Sequence, residues 1–211
     1  MTTRQFGIAL AMIAMTQTAS VWAQSSLFAN SSEQQEPATQ ILSNELTYDE
    51  NSKTSIFIGD VIMTRGLLKL LSDELRLSED GEGYQFGTAT MQEGKRVYIR
   101  QERPENFEVL EGIGERAEYD GKSETFDLIG RAVLTRYICG KPFDSVSGER
   151  VRYFQKTDRY QAFSGPNSGS PDGRVRSIAQ PRAKVDAAIE ACRQLQASGA
   201  EIPAPPPPAK P

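Results

Sequence analysis

Two cysteines, Cys139 and Cys192, are the most chemically distinctive residues of this 211-residue chain. In an oxidising compartment they can form a disulfide that clamps the C-terminal segment to the rest of the chain. Two unrelated free thiols are the alternative, because the sequence does not supply the Cα separation that the bond requires. The sequence contains no histidine, which excludes every Ser-His or Cys-His nucleophile pair and removes the commonest metal ligand. Carboxylate-only hydrolysis stays chemically possible, but no acidic pair is singled out. We therefore expect no enzyme activity, metal site or cofactor.

Arginine is the second residue type whose chemistry matters here. Arginines could meet phosphate groups at a rim, or they could be solvated outward positions that guard strand edges. The formal net charge of −4 does not suggest a nucleic-acid partner, which needs a basic surface. The arginines in question are Arg65, Arg136, Arg150, Arg152, Arg159, Arg174 and Arg176.

The two ends of the chain differ in composition from its middle. Arg4, an apolar run of about ten residues and the sequence Val21-Trp22-Ala23 are typical of a cleaved signal peptide; an uncleaved anchor is the alternative. The C-terminal segment has helical propensity and apolar residues on one face, and it is followed by a run of prolines. The predicted organisation is a signal peptide (1–23), a flexible leader (24–38), a β domain (39–180), a helix (183–198) and a Pro-rich disordered tail (199–211).

One β unit occurs twice, at residues 48–65 (YDENSKTSIFIGDVIMTR) and 119–136 (YDGKSETFDLIGRAVLTR), with eight of eighteen positions identical and no gap. Weaker copies begin near residues 72 and 148, so four copies begin near 43, 72, 114 and 148. Each unit contains a turn after the tyrosine and a glycine, Gly59 or Gly130, at which a strand can bend. Stacked copies bury a continuous core that no single copy could bury. We predict an all-β fold of stacked, short antiparallel strand repeats that fold over on themselves.

Charged residues predict which side of each strand faces inward. Asp127 and Arg131 are expected to face water, so their neighbours face the other way. Tyr84 and Phe86 share a face, and we place Phe86 in the interior. These inward residues either fill a core or line an apolar groove that holds acyl chains. No cap precedes the first strand, and open edges can serve assembly by strand addition. The interior set from this reasoning is Phe57, Val61, Met63, Phe86, Val97, Ile99, Phe126, Leu128 and Leu134.

The chain resembles a known family in three places. These are the unit Tyr-Asp…Gly…Thr-Arg, the segment 148–153 (GERVRY) and the run 160–164 (YQAFS). In this order and spacing they resemble the OstA-like (LptA) family of periplasmic lipopolysaccharide-transport proteins, over residues 39–184. The C-terminal helix and proline tail depart from the family's common form.

The resemblance implies a folded-over β-jellyroll with open ends that stack head to tail into a homo-oligomer. It implies a periplasmic carrier that moves lipopolysaccharide, with its lipid A acyl chains inside, from an inner-membrane LptC-like partner to an outer-membrane LptD-like partner. A β-scaffold adaptor that links envelope proteins without carrying lipid is the alternative. The family's lipid-contacting interior carries over to Ile41, Ile99 and Tyr119, and less directly to Tyr48 and Tyr153.

Overall fold

A computed structural model describes residues 37–170 and 172–205. The predicted signal peptide, the leader up to residue 36 and the last six residues of the tail lie outside the described residues. The described chain forms twelve β-strands and one α-helix, and two short 3₁₀ turns (Pro104–Asn106 and Gln155–Thr157) connect strands. The elements are β1 (Thr39–Leu42), β2 (Glu45–Asp49), β3 (Thr54–Arg65), β4 (Leu68–Glu79), β5 (Gln85–Thr90), β6 (Val97–Arg103), β7 (Glu108–Gly114), β8 (Arg116–Asp120), β9 (Thr125–Ile138), β10 (Lys141–Phe154), β11 (Arg159–Phe163), β12 (Arg176–Ile178) and α1 (Arg182–Ala197).

The twelve strands form one antiparallel sheet that is folded over. Strands β3, β4, β9 and β10 are long, and each pairs with different neighbours along its two halves. Half-sheet A has the order β2-β3-β4-β5-β8-β9-β10-β11, and half-sheet B has the order β1-β3-β4-β6-β7-β9-β10-β12. The predicted all-β, folded-over architecture is therefore confirmed.

The predicted glycines mark the corners at which the long strands pass between the half-sheets. Gly59 and Asp60 both have positive φ (85° and 48°), and so do Gly130 and Arg131 (75° and 44°). The pairing register of β3 with β4 shifts at this place, as a bulge requires. Glycine supplies a left-handed conformation at little cost, which explains why this residue recurs at the same place in both copies.

The flanking backbone is equivalent in the two copies. The Asn44 N–H donates to the Gly59 carbonyl at 3.0 Å, and the Glu115 N–H donates to the Gly130 carbonyl at 3.0 Å. A Cβ on Gly59 would lie 2.5 Å from the Asn44 side-chain nitrogen, so the residue must stay small. The segments that begin near 43 and 114 therefore make the same contact with the corner glycine in the two copies.

The C-terminal segment returns to the β9–β10 turn. Cys139 and Gly140 form a two-residue hairpin loop with positive φ at both positions (53° and 73°), as this type of turn requires. Cys139 is bonded to Cys192 of α1, with 5.8 Å between the Cα atoms. The carbonyl oxygens of Pro203 and Ala204 lie beside Gly140. The helix spans Arg182–Ala197, one residue earlier than predicted, and no described helix is long and apolar enough to cross a membrane.

Candidate functional site

The inner face of half-sheet A carries an unbroken row of apolar side chains. Residues directly opposite one another across the eight strands form this row, and it contains no polar residue. Its central members are almost fully buried, with Leu75 and Val151 each 2% exposed. The row runs Leu46, Phe57, Leu75, Ala89, Ala117, Leu128, Val151 and Ala162.

A second row lies two residues further along each strand, on the same face. It is rich in aromatic rings, and the predicted residues Tyr48, Tyr119, Phe126 and Tyr153 fall in it. Gly87 leaves a gap in the row, where an added Cβ would lie 3.3 Å from Leu77. The complete row is Tyr48, Ser55, Leu77, Gly87, Tyr119, Phe126, Tyr153 and Tyr160.

Half-sheet B presents an equivalent row on its inner face. An added Cβ on Gly112 of this row would lie 2.6 Å from Leu128 of half-sheet A, so the two inner faces touch there. Val61, Val97 and Ala132, each at most 1% exposed, fill the space nearer the corners. The row is Ile41, Met63, Leu70, Ile99, Gly112, Leu134, Val146 and Ser177.

The register brings twelve of the thirteen predicted interior residues to the inner face, and Phe86 is the exception. Strand β5 is regular, and its Ala89 belongs to the buried cluster, so Gly87 points inward and Phe86 points to the other face. There Phe86 lies opposite Ser78 and Asp120. The sequence prediction for Phe86 is wrong because Tyr84 precedes the strand and carries no information about its register.

Several interior residues were missing from the predicted set. Alternation along β2, β4, β5, β8, β10 and β11 is the signal that identifies them, since each is two residues from another inward residue. They are Leu46, Leu75, Leu77, Ala89, Ala117, Val146, Val151 and Ala162.

The outer face of half-sheet A carries most of the charged side chains of its strands. Asp127 faces this side as predicted, but it is only 5% exposed instead of facing water. Both nitrogens of the Arg152 fork donate to it at 2.7 Å, and this hydrogen bonding raises the pKa of Arg152. Such a bidentate pair satisfies the charge of the buried carboxylate. Within residues 37–170 and 172–205, no group of Cys, Asp or Glu side chains is arranged to hold a metal ion.

The apolar rows stay exposed at both free edges of half-sheet A. Strand β2 pairs with β3 and strand β11 with β10, and neither has a further partner among the described strands. Leu46 and Tyr48 on β2 are 56% and 55% exposed, and Tyr160 on β11 is 50% exposed. The apolar surface that is buried in the middle of the sheet therefore continues to both ends.

A family model described as "LptA/(LptD N-terminal domain) LPS transport protein" matches residues 40–159, more than half of the chain. The chain belongs to this family of lipopolysaccharide-transport proteins. The fold is also similar to a crystal structure of LptH, described as "the LptA homologous periplasmic component of the conserved lipopolysaccharide transport device from Pseudomonas aeruginosa". The TM-score is 0.58 and the identity 20%, over 69% of this chain and 96% of that chain. At that identity the likeness shows the fold. A comparison with curated proteins finds no match.

Proposed function

We propose that the protein is a periplasmic carrier and bridge that holds the acyl chains of lipopolysaccharide between its two half-sheets. The observation that carries this proposal is the continuity of the inner rows from edge strand to edge strand. A core that only stabilised the fold would be covered at its ends, because exposed apolar edges invite association. Here the apolar rows reach β2 and β11 uncovered, as a conduit between neighbouring domains requires.

The proposed lipid site is the inner face, and its contact residues are Ile41, Tyr48, Phe57, Val61, Met63, Val97, Ile99, Tyr119, Phe126, Leu128, Leu134 and Tyr153. Nine of these side chains, all but the three tyrosines, belong to the core cluster or pack against it. Acyl chains must therefore separate the half-sheets to enter, and each buried CH₂ gains about 0.8 kcal/mol. The saccharide and its charges stay outside, since nothing on the rows can compensate a buried charge.

The two edges suit end-to-end addition of a second copy. Seven antiparallel pairings separate β2 from β11, so the two strands run in opposite directions. A second copy in the same orientation would therefore pair its β2 antiparallel with β11 of the first. The same holds for β1 and β12 in half-sheet B. We infer that copies stack head to tail by strand addition.

Continuity of the rows specifies the register of this stack. Tyr160 then lies opposite Tyr48 of the next copy, and Ala162 lies opposite Leu46. The same register sets Arg159 against Asp49, a cross-strand charge pair of about 0.2–1 kcal/mol. Because the matched family includes the LptD N-terminal domain, an outer-membrane LptD-like protein can offer the same kind of edge at one end. An inner-membrane LptC-like protein is the proposed partner at the other end.

In this proposal, residues 1–23 are a signal peptide that directs the chain to the periplasm and is then cleaved. The Cys139–Cys192 disulfide fits an oxidising compartment. We propose no catalytic role, and movement of the lipid is driven by partners or by downhill affinity, because the sequence contains no phosphate-binding glycine loop with a lysine.

Copurified lipid tests the proposal against a lipid-free adaptor. The full chain, purified from the periplasm of a lipopolysaccharide-producing cell without detergent, should carry acyl chains that mass spectrometry identifies as lipid A. A Leu128→Asp variant should lose them, whereas Arg116→Asp on the outer face should retain them. Lipid-free wild-type protein that still binds both envelope partners would instead establish the adaptor function.

A further inference from the structure

Three arginines lie on the inner face of half-sheet B near the strand ends that are away from the corners. Arg65 follows the apolar inner residues of β3 and Arg136 follows those of β9, with Ile138 two residues beyond Arg136. On β6, Gln101 and then Arg103 follow Val97 and Ile99. We call this open side of the fold the mouth. A carried glycolipid would have its acyl chains inside the mouth and its charged head group outside it.

Arg103 reaches from the mouth of half-sheet B to half-sheet A. Its guanidinium donates to the Tyr153 hydroxyl at 2.6 Å and to both carboxylate oxygens of Asp158 at 2.9 and 3.2 Å. The Tyr153 hydroxyl also donates to Asp158 at 2.7 Å, and Glu108 lies 3.6 Å from Arg103. This clasp joins the β6–β7 turn of one half-sheet to the β10–β11 turn of the other.

The side chains of the clasp differ widely in their exposure to solvent. The side chains of Arg103 and Glu108 are 21% and 11% exposed, whereas that of Asp158 is 64% exposed. Asp158 lies on a turn with a left-handed backbone (φ 49°) and can swing into solvent. The arginine and tyrosine donors belong to strands β6 and β10.

We propose that Arg103 and Tyr153 form a binding site for a phosphate group of the carried lipid, and that Asp158 occupies this site until the lipid displaces it. A guanidinium fork matches phosphate oxygens as well as carboxylate oxygens. Tyr153 belongs to the inner aromatic row, so the same side chain would touch both head group and acyl chain. Displacing Asp158 also releases the β10–β11 turn from Arg103, whereas the contact between Arg103 and Tyr153 can remain. The inference rests on the proposed function and adds a site of its own.

Two variants distinguish a phosphate site from a purely structural clasp. If the site binds phosphate, the two variants change the affinity for phosphorylated lipid A in opposite directions. Arg103→Gln should weaken binding of diphosphorylated lipid A about tenfold while changing binding of dephosphorylated lipid A little. Asp158→Asn should strengthen binding of the phosphorylated form, since the competing charge is gone. If the clasp is only structural, both variants should change the affinity in the same direction, and they should do so for both lipids. Arg116→Gln, on the outer face, is the matched control and should change neither.

The experiment measures the affinity of the purified full chain for both lipids, with circular dichroism to verify the fold. Tyr153→Phe replaces Arg103→Gln if that variant does not fold, and should show the same phosphate-selective loss. Equal affinities of wild type and variants for the phosphorylated lipid would overturn the site. Wild-type protein that binds neither lipid would instead overturn the proposed function. If inorganic phosphate alone competes as strongly as the lipid, the site serves free phosphate and the lipid assignment is wrong.

Discussion

A disulfide between Tyr48 of one copy and Tyr160 of the next would test the stacking register directly. Residues directly opposite in an antiparallel pair have Cα atoms about 4.5–5.5 Å apart, inside the roughly 4.4–6.8 Å range of disulfides. A pair offset by two residues lies about 8 Å apart, because each residue advances the strand by about 3.4 Å. That distance is too long for a bond. We therefore expect Tyr48→Cys with Tyr160→Cys to cross-link and Leu46→Cys with Tyr160→Cys to remain uncross-linked.

The assay is oxidation of concentrated protein followed by denaturing, non-reducing electrophoresis. The native cysteines are already bonded to each other, so new bonds arise from the introduced pair. One chain that carries both substitutions should give a ladder of oligomers, whereas a mixture of the two single variants should stop at dimers. Equal cross-linking of the offset pair, or oligomers in sedimentation without any cross-link, would refute the row-continuous register.

Three further predictions concern stability. Ser72 is 3% exposed, and its hydroxyl has no hydrogen-bond partner within residues 37–170 and 172–205. Ser72→Ala should therefore raise the free energy of unfolding in urea by about 1 kcal/mol. A loss of stability would show that the hydroxyl does have a partner. The disulfide closes a separation of 53 residues, so replacing both cysteines by serine should lower that free energy by up to about 4 kcal/mol; an unchanged urea midpoint would argue against it. Although partial burial opposes the effect, hydrogen bonds from Arg103 and Tyr153 lower the pKa of Asp158. The ionised Asp158 should therefore contribute fully to the free energy of unfolding above the unfolded pKa of about 3.9. This contribution should disappear as the pH falls through the lower pKa of the folded protein. The difference in Tm between wild type and Asp158→Asn should be constant from about pH 8 to 5 and vanish in stronger acid; a difference that already disappears at pH 6 would contradict the pairing.

The sequence predicts the corners and the two faces well, because both follow from local rules. Gly59 and Gly130 recur at a fixed place in a repeated unit, and alternation of apolar and charged residues on β3 and β9 specifies an inside. Phe86 escapes these rules because strand β5 contains no charged residue that would mark its outward side. Only the pairing of β5 with β4 decides that Gly87 faces the interior.

Contacts between distant turns are beyond such reasoning. Arg103 and Asp158 are 55 residues apart, and their approach depends on how tightly the sheet folds over. The same applies to Asp127, whose charge predicts a solvated position. Its burial depends on Arg152 of the neighbouring strand, and no local pattern specifies that pairing.

Photo-crosslinking at matched phenylalanines tests the central claim most directly. Phe126 and Phe86 belong to the same half-sheet, and both are partly buried, but they lie on opposite faces. A benzophenone analogue of phenylalanine at either position changes the side chain in the same way. We predict that the probe at Phe126 captures lipopolysaccharide in growing cells and that the probe at Phe86 does not. Equal capture at both positions, or capture at Phe86 alone, would contradict an interior that carries the lipid.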